Sequence, residues 1–317
     1  MPDAGVPPEH PIAVVGAGSI GISWAIVFAR AGRQVRLFEP DEDRRSAVTG
    51  ELRERIDRLV AGGLVDDAPA AVLERVSLCD DLAATLAGAI HVQECAPESL
   101  ELKRRLFAEL EETAPTDAVL ASSSSALTIS QIADGLATRS RCLVAHPGNP
   151  PYLIPVVELV PAPFTDAGVV ARTDELLASI GMTPIHVARE VEGFVFNRLQ
   201  GALLREAYCL VRDGVVPPED VDRLVRDGLG RRWSVIGPFE TAELNTRGGI
   251  EAHAERLGPA YARMGAERGQ DDPWTPELVA RVAADVHRRL PPEQWQANVQ
   301  RRDDALIRLE RARRAEH

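Results

Sequence analysis

Residues 12–21 read IAVVGAGSIG. Ile12 to Val15 is a short unbroken apolar run, as in a parallel strand buried on both faces. It leads into Gly16-x-Gly18-x-x-Gly21, and a mainly apolar stretch suited to a helix continues to about Ala31. A second apolar run, Val35 to Phe38, ends on Glu39, an acid 18 residues past the last glycine. A Gly-rich turn alone is weak evidence. A turn preceded by a strand, followed by a helix and answered by a second strand ending in an acid has the layout of a dinucleotide-binding unit. Gly16 permits the tight turn, Gly18 lets a pyrophosphate approach bare backbone, and Gly21 lets the helix pack on the strand. The helix N-terminus presents N–H groups and partial positive charge to the phosphates. Glu39 suits the two ribose hydroxyls of an adenosine and would repel a 2′-phosphate, which favours NAD over NADP.

The rest of the chain bounds the function. Its 317 residues allow one very large domain or two ordinary ones, and 45% apolar content is enough for sizeable cores. A net charge of −12 argues against nucleic acid or an anionic membrane as partner. No apolar run approaches the roughly 18 residues of a membrane span. The opening MPDAGVPPEHP is polar and carries no signal-peptide core. Cys79, Cys95, Cys142 and Cys209 have neither paired nor metal-like spacing, so reduced thiols in the cytoplasm and no metal site are expected.

Strand and helix alternate through the first 190 residues. Further strands are expected at Arg75–Leu78, Ala89–Gln93, Ala118–Ser122, Cys142–His146, Val156–Val160 and Pro184–Val187. Helices are expected at about Asp41–Ala61, Pro97–Glu112 and Asp166–Ile180. This alternation predicts an α/β fold with a mostly parallel, doubly wound sheet. Prolines 147, 150, 151 and 155 hold the segment between two of these strands in extended or turn geometry. Beyond Gly193 no convincing alternating strand appears, and amphipathic helices run to the end. The division expected is 1–190 for an NAD-binding domain and 191–317 for an all-helical domain. The charged last segment, RRDDALIRLERARRAEH, reads as a solvated helix.

Chemistry in an open α/β sheet sits at the carboxyl ends of the strands. Two such ends carry dense polar groups, ASSSSAL (Ala121–Leu127) and VAHPGNPPYLIPVVELVP (Val144–Pro161). His146 and Glu158 lie 12 residues apart on either side of the proline-held segment. Oxidising a secondary alcohol needs a base for the hydroxyl proton, and histidine is the usual one. A carboxylate on the far ring nitrogen fixes the tautomer and supports the imidazolium. Taken singly these signals are ambiguous, since a strand-end histidine is more often structural and a serine cluster more often caps a helix. Glu158 is less easily dismissed. A carboxylate within VVELVP is costly to bury without a partner, and His146 is the partner to expect.

These blocks, with QECAPESLELKRRLF, GFVFNRLQ, DGLGRRWSVIGPFET and LPPEQWQANVQRRDDALIRL, resemble the 3-hydroxyacyl-CoA dehydrogenase superfamily. The likeness is strongest to its lambda-crystallin and L-gulonate 3-dehydrogenase branch and covers almost the whole chain. It implies a Rossmann-type domain followed by a helical domain that dimerises. It also implies roles. Ser125 would hold the substrate hydroxyl, His146 would be the general base, Glu158 its carboxylate partner, and Asn197 would help position substrate. The cofactor side would comprise Gly16, Gly18, Ser19, Ile20, Gly21, Glu39, Glu98, Lys103 and Asn149. Lys103 is the only lysine in the chain. Gly148 stands where relatives carry Val or Phe, a departure expected to enlarge the pocket or loosen the turn.

Members acting on acyl-CoA typically show HFFNP and a GxGYPMGPF-like turn, where this chain has HPGNPPY and GLGRRWSVIGPFE. An arginine fork binds a carboxylate bidentately. Arg232 is therefore a candidate for a substrate carboxylate, with a surface ion pair as the alternative. The second helix has no lysine for a CoA 3′-phosphate, although Arg53, Arg55 and Arg58 could serve. The expectation is an NAD-dependent homodimer that oxidises the 3-hydroxyl of a small, L-gulonate-like 3-hydroxy acid. The alternatives are a 3-hydroxyacyl-CoA dehydrogenase and a crystallin-like structural protein without activity.

Overall fold

The computed structural model describes residues 10–247, 249–268, 275–289 and 291–314. The polar segment 1–9 lies outside the described residues. Two compact units result: residues up to Arg198 together with the chain from Gln300 on, and Leu199–Val299.

The first unit is built on one eight-stranded sheet. Its strands are β1 (Ile12–Val15), β2 (Val35–Phe38), β3 (Val76–Cys79), β4 (His91–Glu94), β5 (Val119–Ser122), β6 (Cys142–Pro147), β7 (Val156–Pro161) and β8 (Thr183–His186), in spatial order 3-2-1-4-5-6-7-8. Its main helices up to residue 190 are α1 (Ser19–Arg30), α2 (Glu42–Ala61), α3 (Pro69–Leu73), α4 (Leu82–Leu86), α5 (Leu100–Thr113), α6 (Ile129–Ile132) and α7 (Ala167–Ser179). The strand order reverses between β1 and β4, so the dinucleotide crevice expected of a doubly wound sheet opens at their carboxyl ends.

The unbroken apolar character of β1 has a direct cause. Ile12 and Val14 enter one hydrophobic cluster with Trp24, Phe28 and Leu37. Ala13 and Val15 enter another with Phe107, Leu110 and Leu120. Both faces are covered, so no position on the strand tolerates a polar residue, and each large side chain so buried stabilises by about 1.5–3 kcal/mol. Asp41 caps α2 by accepting from Arg44 N at 2.7 Å.

All neighbouring strands run parallel except β6 and β7, which pair antiparallel. The segment between them folds back on itself. Gly148 N donates to Val156 O at 2.9 Å, and Leu153 N and Ile154 N both donate to Pro150 O. The reversal brings the start of β7 to the same edge as the end of β6. A Cβ on Gly148 would come within 2.5 Å of Ile154 and 3.0 Å of Val156. The space that Val or Phe takes in relatives is therefore filled from across the turn, and neither expectation for Gly148, a larger pocket or a looser turn, describes it.

Helix α8 (Phe196–Arg212) carries the chain past the division at Arg198. The second unit holds the rest of it, with α9 (Pro218–Leu224), α10 (Gly230–Trp233), α11 (Pro238–Asn245), α12 (Gly249–Glu267) and α13 (Pro276–Arg289). Pro218 lies in the first turn of α9 with Glu219 and Asp220, a favourable start by both conformation and dipole. Arg268 braces this unit through Glu206 and Asp213.

The last helix, α14 (Trp295–Arg314), departs from the expected division at 190/191 and from a freely solvated helix. From Gln300 on it belongs with the first unit. Ile307 is buried against Gly62, Arg58 pairs with Asp304 at 2.6 Å, and Arg314 donates to Leu64 O at 3.1 Å. The charged sequence concealed a narrow buried stripe, Asp303 and Ile307, one turn apart.

Candidate active site

The phosphate turn has the shape its glycines suggest. Gly16 lies at φ 101°, and a Cβ there would press on the Cys95 carbonyl at 3.0 Å. A Cβ on Gly21 would collide with Gly16 O. Gly18 faces open space, with nothing within 4 Å of where its Cβ would stand, and is the N-cap of α1. Ser19 and Ile20 follow as the first residues of that helix, where backbone N–H groups lack intrahelical acceptors. The cradle is thus bare backbone at a helix N-terminus, which fits a pyrophosphate. Burial pushes the neighbouring Cys95 thiol up to about 12, so it acts as packing beneath the turn.

Glu39 stands directly after β2. Its carboxylate accepts from Ala17 N at 3.1 Å and from Asp41 N at 3.2 Å, which brings it to the edge of the turn. Two arginines stand near it, and both are committed elsewhere. Arg44 donates to Ala17 O from Nε (3.0 Å) and from its terminal nitrogen (2.7 Å), and it is paired with Glu51. Arg45 donates to Glu39 O and Pro40 O, each at 2.7 Å.

At the other end of the crevice, Ser125, His146 and Glu158 form a continuous hydrogen-bonded line. His146 Nδ1 lies 2.7 Å from Glu158 Oε2, and His146 Nε2 lies 3.1 Å from Ser125 Oγ. His146 and Glu158 are direct partners in the antiparallel register of β6 and β7. Glu158 is almost fully buried, and its second oxygen, Oε1, accepts from Val195 N (2.7 Å) and Phe196 N (3.0 Å). Burial works against its charge. The bond from His146 and the two amide N–H groups outweigh that and hold the carboxyl below the ordinary 4.5.

The two amides converge because of local backbone geometry. Gly193 sits at φ 72° and Phe194 at φ 49°. A left-handed conformation at a non-glycine residue costs of order 1–3 kcal/mol. Phe194 is fully buried and packs on His146 with ring centroids 5.5 Å apart, which offsets the strain. Because Glu158 is ionised and accepts only, it fixes the proton of His146 on Nδ1. Nε2 is then the ring nitrogen that faces Ser125.

Asn197 Nδ2 donates to Ser125 O at 3.1 Å. Glu98 Oε1 accepts from Ser125 N (3.1 Å), Ala126 N (3.0 Å) and Ser124 Oγ (2.5 Å). Asn149 is exposed on the turn that follows β6. Lys103, expected on the cofactor side, is buried beneath this surface with its ammonium on Glu94. Arg232 is exposed on α10 of the second unit. Of the arginines on α2, Arg58 is taken by Asp304 and Gln300 O, and Arg55 by Ser19 O and Ser23 Oγ.

Sequence reasoning passed over Glu94, Ser122 and Ser124, which lie under the serine turn. The signal that singled out Glu158, a carboxylate in an otherwise buried strand, is present at Glu94 too, at the end of β4. Among the described residues no cluster of His, Cys, Asp and Glu could hold a metal ion, and no helix is long and apolar enough to cross a membrane.

Comparison with known proteins agrees with this geometry. Residues 11–191 match the family model for the 3-hydroxyacyl-CoA dehydrogenase NAD binding domain, and residues 193–285 match that family's C-terminal domain. The chain is 42% identical to the lambda-crystallin homolog of Bos taurus over 94% of both chains. It is 37% identical to a 3-hydroxyacyl-CoA dehydrogenase of Gibberella moniliformis over 94% of this chain and 93% of that one. Among solved structures, an NAD+ dependent dismutase, 5-formyl-3-hydroxy-2-methylpyridine 4-carboxylic acid 5-dehydrogenase, superposes with a TM-score of 0.82. It is 27% identical, and the match covers 96% of this chain and 98% of that one.

Proposed function

We propose that this chain, which belongs to the 3-hydroxyacyl-CoA dehydrogenase family and is an NAD-dependent oxidoreductase, oxidises the 3-hydroxyl of a small, L-gulonate-like 3-hydroxy acid to the 3-oxo acid. The observation that carries the reading is the Ser125–His146–Glu158 line, with His146 Nε2 presented beside a serine hydroxyl. When bound, NAD supplies the two-electron acceptor. The chain's own residues handle the proton. Ser125 Oγ donates to the substrate oxygen and keeps its own hydrogen. His146 Nε2 takes the hydroxyl proton, and the imidazolium so formed is stabilised by Glu158 across the strand pair. In the reverse direction the same nitrogen returns the proton. Asn197 holds the Ser125 carbonyl with its amide nitrogen, which leaves its oxygen to accept from a substrate hydroxyl. Asn149 serves the nicotinamide side.

A free acid is favoured over a CoA thioester by two features. Arg232 offers a guanidinium for a carboxylate, and two of the three α2 arginines suited to a CoA 3′-phosphate already have partners. A structural neighbour is named for a pyridine carboxylic acid, a free acid, which supports this reading. Oxidation of a 3-hydroxyacyl-CoA is the second reading, favoured by the Gibberella relative. A homodimer is part of the proposal. The second unit leaves Leu203, Val215, Trp233, Val235, Phe239 and Leu244 exposed, apolar side chains that a partner subunit could cover. A panel of 3-hydroxy acids and 3-hydroxyacyl-CoA esters, followed at the nicotinamide absorbance, tests the substrate. Light scattering after gel filtration tests the dimer.

A further inference from the structure

The backbone ladder between β5 and β6 ends at Ser122 and Val144. Pairing of these two strands therefore stops short of the turn that carries Ser125 and of the strand end that carries His146. The side chain of Gln93, from β4, spans the gap. It is 0% exposed, and its Nε2 donates to Ser123 Oγ at 2.8 Å and to Ala145 O at 3.4 Å. Ser123 lies two residues before Ser125, and Ala145 directly precedes His146. A primary amide has two N–H donors, and these two acceptors use them.

The amide is also held from behind. A carbonyl only accepts, so Ala145 O fixes the nitrogen end of the amide and turns Oε1 toward His91, whose Nε2 lies 3.0 Å away. His91 is 1% exposed and packs on Phe28 with ring centroids 6.0 Å apart. Its Nδ1 has no hydrogen-bond partner among the described residues, and burial pushes its pKa down to about 4. The ring therefore stays neutral and serves Gln93 through its one N–H. Ser123 Oγ accepts from Trp24 Nε1 at 3.1 Å as well as from Gln93, which leaves its own hydrogen for Cys95 Sγ at 3.3 Å. Val14 and Ala121, the register partners of Gln93 on either side, both belong to the apolar core. An amide is costly to bury there. What a fully satisfied buried network supplies in return is one fixed geometry.

We propose that Gln93 is a positioning residue for the oxidation: by joining Ser123 to Ala145 it sets the distance between the Ser125 hydroxyl and His146 Nε2. This inference rests on Ser125 and His146 as the groups that meet the substrate hydroxyl. The test is a double-mutant cycle of Gln93→Met against Ser125→Ala. It reads kcat per folded molecule at saturating NAD, with whichever of L-gulonate and 3-hydroxybutyryl-CoA the wild-type enzyme oxidises. Met keeps the volume and removes both donors. Ser123→Ala leaves Gln93 on Ala145 and His91 and cuts only its arm to the turn, so it serves if Gln93→Met does not fold. The readout is kcat because loss of any buried hydrogen bond lowers Tm, whereas only a misplaced Ser125–His146 pair slows the folded enzyme.

Gln93→Met, or Ser123→Ala in its place, should lower kcat about tenfold, the scale of one well-made hydrogen bond. In the Ser125→Ala background the same change should cost less than about threefold, because residues that act through one contact are not additive. A wild-type kcat for the variant, or losses that multiply, would overturn the positioning role. Ser125→Ala at the wild-type rate would instead remove the serine reading itself.

Discussion

His146 and Glu158 face each other across β6 and β7, the antiparallel strand pair of the sheet, and their side chains meet at 2.7 Å. The site therefore depends on a single strand reversal. Had β7 followed β6 by a parallel crossover, as the other strands do, its start would lie at the opposite edge and Glu158 would have no histidine to orient. The opposite oxygen of Glu158 is held by two backbone amides, so its charge is fixed by the fold as well as by its partner.

This coupling predicts a pH dependence of stability. The Glu158 carboxyl is held below its ordinary 4.5 in the folded protein. A carboxyl lowered in this way stabilises the fold above about pH 4.5, and that contribution is lost as pH falls through the folded value. Glu98 is lowered too, by Ser124, backbone amides and Lys103 acting against its partial burial. Wild-type Tm should fall steeply on acidification below about pH 4.5, and Glu158→Gln should show a shallower fall from a lower plateau. Parallel Tm–pH curves for the two proteins would contradict this account of Glu158.

Cofactor preference follows from the fate of two arginines. Arg44 is bound to Ala17 O and Glu51, and Arg45 to Glu39 O and Pro40 O, so neither is free to neutralise a 2′-phosphate beside Glu39. NAD should be preferred over NADP by at least about tenfold in kcat/KM, the size of one unfavourable contact of about 1.4 kcal/mol. Glu39→Ser with Glu51→Gln removes the repulsion and releases Arg44, and should narrow the gap. Equal kcat/KM for both cofactors in the wild type would refute the charge argument.

Arg232 tests the substrate class. If it binds the carboxylate of a free acid, Arg232→Met should lose about 1.5–3 kcal/mol, or one to two decades in kcat/KM, mostly as a higher KM. NADH affinity and Tm should hardly move, since the side chain is exposed on α10. A methyl ester of the same acid should lose little. Equal losses for acid and ester would make Arg232 structural and favour the CoA reading.

Much of this was legible because strong local rules coincide with the fold. The glycine turn, the β2 acid and the buried β1 run each serve one physical requirement, and strand ends fell within about two residues of expectation. The carboxylate in VVELVP pointed to His146 because an unpaired buried charge is costly. Other features were hidden for equally physical reasons. Lys103 was expected on the cofactor side from its position in the chain, and its burial on Glu94 could not be read there because it depends on how α5 packs. Glu94 lies one residue past the strand expected at Ala89–Gln93, so its burial was not anticipated. The role of α14 was masked by its charge, since two buried residues among many polar ones leave almost no periodic signal. Phe194 could not have been foreseen at positive φ, because that conformation is imposed by Glu158 and the packing around it.

The central claim is that His146 takes the hydroxyl proton, and His146→Gln tests it most directly. If the Gly16–Gly21 turn and Glu39 hold the pyrophosphate and adenosine, most of the NADH affinity does not depend on the imidazole and should stay within about threefold of wild type. A general base contributes roughly 10²–10⁴-fold, so kcat for the hydroxy acid should fall by that factor. A variant that binds NADH normally and keeps more than about a tenth of wild-type kcat would show that His146 is not the base.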